Sequence, residues 1–282
     1  PCLFFKNVLG MLNKCLFFVM IILMSSLLRG NAEAGVFSIT INSSANIDPT
    51  AESLFLSAVN FWESSLLGTQ EDIDINLVID ASTPTIDGNG NVLGSASNSR
   101  ASYLTNSGLF LYATLGSMRF DIDDIAGMNQ TTLYNIILHE MAHVIGFGTL
   151  WNSDRFTISG FQDVYEDGSG KYTGEYALAL YREMYDSSAT YVPIELDGGS
   201  GTANSHWDEG FINDPSELLT GYLDPNPYVS DISLASFADI GYVVQLSDGR
   251  ILGIVSAPTG FVFLAFFMGI SLTRAHIKRP RD

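Results

Sequence analysis

The stretch LHEMAHVIGFGTLW, residues 138–151, places His139 and His143 four positions apart with Glu140 between them. Apolar residues before and within this stretch recur at the spacing of a helix that buries one face. Two glycines then follow at the point where such a helix would end. We therefore predict a helix that presents both histidines, one turn apart, on the same side.

These three side chains are suited to metal-assisted hydrolysis. Two imidazoles one turn apart can reach the same cation, and Glu140 borders the same face, where it can act on a water held by that cation. Neutral imidazoles favour Zn2+, which keeps one position open for water at catalytic sites. We predict a zinc site with His139 and His143 as ligands and Glu140 as the general base in peptide-bond hydrolysis.

A third ligand has to come from another part of the chain. Thr149 stands where peptidases with the pattern H-E-x-x-H-x-x-G-x-x-H have their third histidine. Of the two histidines outside the motif, His276 lies in the basic C-terminal tail, whereas His206 lies among glycines that can bring it back to the site. We favour His206, and the alternative is a carboxylate ligand from Glu175, Glu183 or Asp154.

Both ends of the chain differ from its middle. We expect residues 1–34 to be a secretory signal, with Met11 as a suitable start, because a lysine precedes an apolar run and a small-x-small cleavage site follows it. At the other end we expect a membrane or sorting segment over residues 251–282. Residues 251–272 lack charged side chains, are long enough to span a bilayer, and are followed by a basic cluster.

The length and the charge of the chain limit which fold and which partners its middle part can have. The 282 residues suffice for one domain with two lobes, which we place at residues 35–148, with the active-site helix, and 149–250, with the third ligand. The formal net charge is −18, and more than half of the 13 basic residues lie in the two end segments. Such an acidic surface excludes nucleic acid as a partner. Both cysteines, Cys2 and Cys15, lie in the expected signal, so we expect no disulfides elsewhere.

The remaining pattern predicts a mixture of strands and helices. Strands are expected at residues 37–42, 73–79, 109–114 and 118–122. Helices are expected at residues 51–67, 176–185 and 232–240. Residues 87–99, rich in Gly, Asn and Ser, are expected to form a loop. The loops 87–91 and 163–169 share with calcium-binding loops only their content of Asp, Asn and Gly. The predicted fold class is α+β.

Six motifs in order across residues 118–244 resemble the leishmanolysin-like metallopeptidases in their bacterial form: FDIDD, HEMAHVIGFGTLW, YTG, GGSGTANSHW, ELLTGYL and SLASFADIGY. These are metzincins in which a long insertion separates Gly146 from the third histidine. The resemblance implies His139, His143 and His206 as zinc ligands and Glu140 as the catalytic base. It also implies a two-lobed domain with the active-site helix at the back of a cleft and a mixed sheet above it.

Two departures from that family are visible. Metzincins carry a methionine in a tight turn beneath the metal, where this chain has Leu219, and we expect altered packing without loss of zinc. The cysteines that serve latency and disulfides in eukaryotic relatives are missing. Tyr222 and Asp208 stand near positions that could stabilise the oxyanion or orient a ligand histidine, and for Tyr222 we favour a packing role.

The motif and the resemblance together indicate an exported zinc endopeptidase that acts as a monomer on protein or peptide substrates outside the cell. The tail APTGFVFLAFFMGISLTRAHIKRPRD is similar to bacterial C-terminal sorting signals with a proline motif, an apolar helix and an arginine cluster, which implies attachment at the cell surface. The alternative is a catalytically inactive binding or matrix module on the same scaffold, favoured by Leu219 and by the tail. An enzyme would lose its activity on Glu140→Ala, whereas a binding module would not be affected.

Overall fold

The computed structural model describes residues 34–43, 47, 49–71, 73–90, 92–102, 110–152, 160–214 and 216–254. The expected signal up to residue 33, the C-terminal segment from residue 255 onward, and Asp154 lie outside these ranges. Among the helices within these ranges, none is both long and apolar enough to cross a membrane. In chain order the elements are β1 (Phe37–Ser43), α1 (Pro49–Ser65), β2 (Leu66–Thr69), β3 (Ile75–Ser82), β4 (Gly94–Ser102), β5 (Tyr112–Phe120), α2 (Ile122–Ile125), α3 (Gln130–Ile145), β6 (Lys171–Tyr172), α4 (Glu175–Met184), β7 (Val192–Pro193), α5 (Asp231–Asp239), β8 (Tyr242–Gln245) and β9 (Ile251–Leu252).

Four strands form a mixed sheet in the order β1-β3-β5-β4. The first three run parallel, whereas β4 runs antiparallel to β5 and lies at the end of the order. Alternation of side chains explains the buried face of the sheet, since in β3 every second residue is buried, namely Ile75, Leu77, Ile79 and Ala81. The mixed sheet of the predicted α+β fold is thus confirmed.

Helix α3 carries the H-E-x-x-H motif and packs against α1, β4 and β5. The side chain of Asn129 caps its N-terminus by accepting the N–H of Thr132 at 2.9 Å. Gly116 of β5 permits a close approach, because a Cβ atom there would lie 2.2 Å from Cγ1 of Val144. The helix ends at Gly146, whose φ of 149° lies where glycine is favoured. The end of α3 that bears the motif is therefore held directly against the sheet.

The last two strands of the sheet differ from the sequence prediction. The loop prediction for residues 87–99 is wrong from Gly94 onward, where β4 begins. The two strands expected at residues 109–114 and 118–122 are one continuous strand, β5. The sequence of β4, GSASNSRAS, has almost no apolar side chains to alternate. It is a strand because its backbone pairs with β5, which a hydrophobic period cannot reveal.

Helix α4 is capped by a side chain from helix α5. The carboxylate of Asp239, at the end of α5, accepts the N–H groups of Tyr176 at 2.7 Å and Ala177 at 3.1 Å in the first turn of α4. Gly174 leaves room for it, because a Cβ atom on this residue would lie 2.4 Å from Oδ2 of Asp239. These contacts fix α4 relative to α5. Strand β8, which follows α5, pairs with β2 and so connects the C-terminal part of the described chain to its N-terminal part.

Candidate metal centre

Three imidazoles meet at one point. The Nε2 atoms of His139, His143 and His206 form a triangle with sides of 3.0, 3.0 and 3.1 Å. Tetrahedral zinc with Zn–N bonds of about 2.0–2.1 Å spaces its nitrogen ligands about 3.3 Å apart. The observed separations are close to that value, so the three nitrogens could hold one zinc ion.

The opposite nitrogen of each ring is engaged with a backbone carbonyl. Each Nδ1 lies within 2.9 Å of a carbonyl oxygen, which can only accept, so each Nδ1 carries the ring proton and donates it. This arrangement fixes the tautomer and the orientation of each ring, and it leaves every Nε2 lone pair free for a metal. The pairs are His139 with Leu218 at 2.7 Å, His143 with Phe147 at 2.9 Å, and His206 with Thr202 at 2.8 Å.

The chemistry of this donor set fits a cation. Burial lowers the pKa of His139, and burial together with the neighbouring imidazoles lowers the pKa of His143 far below its ordinary value. The pKa of His206 falls to about 3 for the same reasons. All three rings are therefore neutral at neutral pH. With their protons on Nδ1, the short Nε2 to Nε2 contacts are contacts between lone pairs, which a shared cation would stabilise.

A cluster of four buried aromatic residues includes the chain neighbours of two ligands; its members are Phe147, Trp151, Tyr172 and Trp207. The ring centroids of Phe147 and Trp151 lie 4.7 Å apart, and those of Phe147 and Trp207 lie 5.3 Å apart. Trp151 also packs edge-on against Tyr172 at 5.0 Å. Since Phe147 supplies the carbonyl for His143 and Trp207 follows His206, the cluster restrains two of the three ligands through their chain neighbours.

Glu140 lies beside the histidines but is not one of the three converging groups. It is buried, and burial raises the pKa of its carboxyl to about 8. The first residue of β4, Gly94, lies against it, since a Cβ atom there would be 3.1 Å from Oε1 of Glu140. The carboxylate is therefore placed between the histidine-bearing helix and the strand at the end of the sheet, where it can accept and return a proton.

The carboxylates proposed as alternative ligands do not join the three histidines in the part of the chain that the structure describes. Glu183 forms an exposed ion pair with Arg250 at 3.0 Å. Glu175 begins α4 and is exposed. Asp154 is outside the described residues. Of the candidates from the sequence, His206 is the one that the fold brings to His139 and His143.

Three further positions considered from the sequence are Asp208, Tyr222 and Leu219. Asp208 accepts the N–H of Gly210 at 2.9 Å. The ligand rings are oriented by backbone carbonyls instead of by Asp208. Tyr222 is 60% exposed. Leu219 is fully buried, and its carbonyl accepts the N–H of Trp207 at 3.1 Å. The segment expected to lie under the metal is therefore tied to the residue that follows His206.

Thr149 has a role that the sequence did not indicate. Its hydroxyl donates to the carbonyl of His143 at 2.6 Å and accepts from the side-chain amide of Asn98 at 2.9 Å. It thereby connects β4 to the end of α3. The carbonyls of Leu218, Phe147 and Thr202 were also missed, because every residue has a carbonyl and side-chain identity carries no signal for its use.

The first of the two loops with a calcium-loop composition, at residues 87–90 of the described chain, is held by hydrogen bonds to Asp121 and Asp124. The N–H groups of residues 86–88 all donate to Oδ2 of Asp121 at 2.7–2.9 Å. The N–H of Gly90 donates to Asp124 at 2.9 Å. The carboxylates of Asp87, Asp121 and Asp124 also each place one oxygen within 4.8 Å of the others.

The chain is similar in sequence to proteins of one known family. A family model described as leishmanolysin matches residues 107–256. A leishmanolysin homolog from Crithidia fasciculata is 31% identical over 117 residues, which cover 39% of this chain and 17% of that protein. Leishmanolysin from Leishmania donovani is 27% identical over 134 residues, which cover 46% of this chain and 22% of that protein. The matches span about a fifth of the length of these curated relatives. The residues that the family model matches include the motif helix and His206.

Proposed function

Because the chain belongs to the leishmanolysin family, whose members are zinc metallopeptidases, we propose that it is an exported zinc endopeptidase with Glu140 as its general base. The observation that carries this proposal is the triangle of Nε2 atoms, each presented by a ring whose other nitrogen donates to a carbonyl. A scaffold with no metal function has no need to bring three neutral imidazole lone pairs within about 3 Å of each other.

His139, His143 and His206 would hold the zinc ion. When bound, zinc supplies Lewis-acid chemistry that activates a water molecule and polarises a peptide carbonyl. The protein's own contribution is to keep the three rings neutral and oriented, so that they bind the metal without first releasing a proton.

Glu140 would move the proton. Its buried carboxylate takes a proton from the attacking water and returns it to the leaving amine. Burial alone raises the pKa of Glu140 to about 8, and a cation on the adjacent histidines would lower that pKa. The carboxylate is then ionised and able to accept a proton at neutral pH.

The position of β4 supports an extended peptide as the substrate. This strand ends the order of the sheet, and its first residue, Gly94, lies against Glu140. An extended segment can add to such an edge by backbone hydrogen bonds, which places its peptide groups near the catalytic carboxylate. Unfolded or flexible segments of proteins would therefore be cleaved more readily than folded regions.

The site of action would be outside the cell. This part of the proposal is supported by the secretory character of residues 1–34 and by the apolar segment and basic cluster within residues 251–282. These features are typical of export followed by attachment to a membrane or cell surface.

The test is hydrolysis of a generic unfolded protein by the purified chain with zinc, beside its Glu140→Ala variant. We expect the wild type to cleave, a chelator to stop cleavage, and added zinc to restore it. Glu140→Ala should bind zinc but lose at least about 100-fold in rate. Full activity in Glu140→Ala would remove the proposed mechanism. If both proteins are folded and zinc-loaded but neither cleaves, the inactive binding module becomes the better explanation.

A further inference from the structure

Glu217 is a fully buried carboxylate that directly precedes Leu218, the residue whose carbonyl holds the ring of His139. It accepts the N–H of Leu219 at 2.6 Å and the N–H of Ser230 at 3.2 Å, and it also accepts the hydroxyl of Ser233. A buried carboxylate is costly unless it is satisfied, and this one receives donors from two separate chain segments. It therefore ties the segment after residue 216 to the start of α5.

The same network extends to the segment that carries His206. The hydroxyl of Ser233 accepts the indole N–H of Trp207 at 2.8 Å while it donates to Glu217. The backbone N–H of Trp207 donates to the carbonyl of Leu219 at 3.1 Å. Glu217, Ser233, Trp207 and Leu219 thus form a closed ring of hydrogen bonds.

Two metal ligands depend on this ring. Trp207 directly follows His206 in the chain. Leu219 directly follows Leu218, whose carbonyl accepts the Nδ1 proton of His139 at 2.7 Å. A shift of either segment would turn one imidazole relative to the other, and groups that orient metal ligands typically change metal affinity about 10–100-fold when they are altered.

We propose that Glu217 is a positioning residue that sets the zinc affinity of the site by holding the Leu218 carbonyl and the His206 segment in register. The inference rests on the proposed zinc site. Glu217 hydrogen-bonds to Leu219, Ser230 and Ser233 rather than to a ligand histidine. It acts through Leu219, Ser233 and Trp207.

The experiment compares zinc dissociation constants, measured by chelator competition at pH 7, for the full chain and its Glu217→Gln variant. Glutamine has the same shape but replaces one acceptor oxygen with an NH2 group, which then faces an N–H or hydroxyl donor. We expect Glu217→Gln to weaken zinc binding about 10–100-fold, with a loss in kcat/KM at limiting zinc that saturating zinc partly restores.

A matched control separates positioning from general stability. Asp239 is also a carboxylate of this region, but it is only partly buried and caps α4. Its connection to the His206 segment is the ring contact between Tyr172, which donates to Asp239, and Trp207. Asp239→Asn also replaces an acceptor oxygen in a hydrogen-bonded network, and it should change zinc affinity less than about threefold. Equal zinc affinity in Glu217→Gln and wild type, with a lowered melting temperature, would show that Glu217 is structural only.

Two further outcomes are distinguishable. If Glu217→Gln does not fold, Ser233→Ala removes the connection between Glu217 and Trp207, together with one hydrogen bond from Ser230. Unchanged zinc affinity in that variant would overturn the proposal. If the wild type binds one zinc ion but cleaves nothing, the proposed peptidase function fails while the affinity comparison still decides the role of Glu217. A wild type that binds no zinc would sink both.

Discussion

Gly148 lies against the backbone of Ser205 so closely that a Cβ atom on the glycine would be 2.4 Å from the serine carbonyl oxygen. Gly148 follows Phe147, whose carbonyl holds the ring of His143, and Ser205 precedes His206. The contact therefore sets how near the end of the motif helix can come to the segment with the third histidine. The φ of Gly148, +69°, is also in the left-handed region that favours glycine.

Gly148→Ala is expected to weaken both the fold and the metal site. The added Cβ meets backbone atoms, which cannot move aside as a flexible side chain can, and the positive φ adds strain, so we expect a loss of about 2–4 kcal/mol in the free energy of unfolding. Gly201→Ala is the matched control, because a Cβ atom there meets nothing within 4 Å. Denaturant unfolding and zinc titration of both variants would check this, and equal behaviour of the two would contradict it.

His206→Ala should abolish tight zinc binding. Removal of one of three ligand nitrogens leaves only two, and neither Glu175 nor Glu183 lies in the cluster to replace it. Zinc content after dialysis is the measurement, with Glu183→Gln as the control that should retain one zinc per chain. Zinc binding as tight as wild type in His206→Ala would show that another residue is the third ligand.

Leu219→Met should be tolerated. Leu219 is fully buried, and leucine and methionine exchange in cores usually costs less than about 1.5 kcal/mol. Zinc affinity should therefore stay within about threefold of wild type, because the backbone of the segment is unchanged. Leu219→Ala, which leaves a cavity, should cost about 2–5 kcal/mol. A loss of zinc on Leu219→Met would mean that this side chain itself shapes the metal site.

The stability contribution of Asp239 should decline as pH rises. Burial raises the pKa of its carboxyl from 3.8 to about 7, although hydrogen bonds from Tyr176 and Ala177 oppose this shift. The folded state then binds more protons than the unfolded state between these values. The contribution is present in full below about pH 4 and is lost as pH rises through about 7.

The difference in unfolding free energy between wild type and Asp239→Asn isolates this group from all others that titrate. We expect that difference to move in favour of the variant from pH 4 to pH 8, by at most about 4 kcal/mol. Urea unfolding at several pH values gives the measurement. A difference that stays constant across this range would mean that the pKa of Asp239 is not raised.

Periodicity predicted α1, α4 and α5 to within two residues at each end, and it also predicted the motif helix α3. A helix that buries one face must repeat its apolar residues with the helical period. Periodicity failed at β4, where an edge strand of small polar residues is stabilised by backbone pairing with β5. It also divided β5 in two, because Gly116, which lets Val144 approach, interrupts the apolar pattern.

The sequence by itself determined that His139, Glu140 and His143 share one end of a helix, since spacing along a helix sets direction in space. It also reduced the choice of third ligand to His206 and a few carboxylates. Only the tertiary structure decided that His206 reaches the other two, and that the carbonyls of Leu218, Phe147 and Thr202 hold the rings. The Leu218 carbonyl lies 79 residues from His139 in the chain, whereas the Phe147 and Thr202 carbonyls each lie four residues from the histidine they hold. All three are backbone atoms that every residue has, so side-chain identity gives no signal for their use.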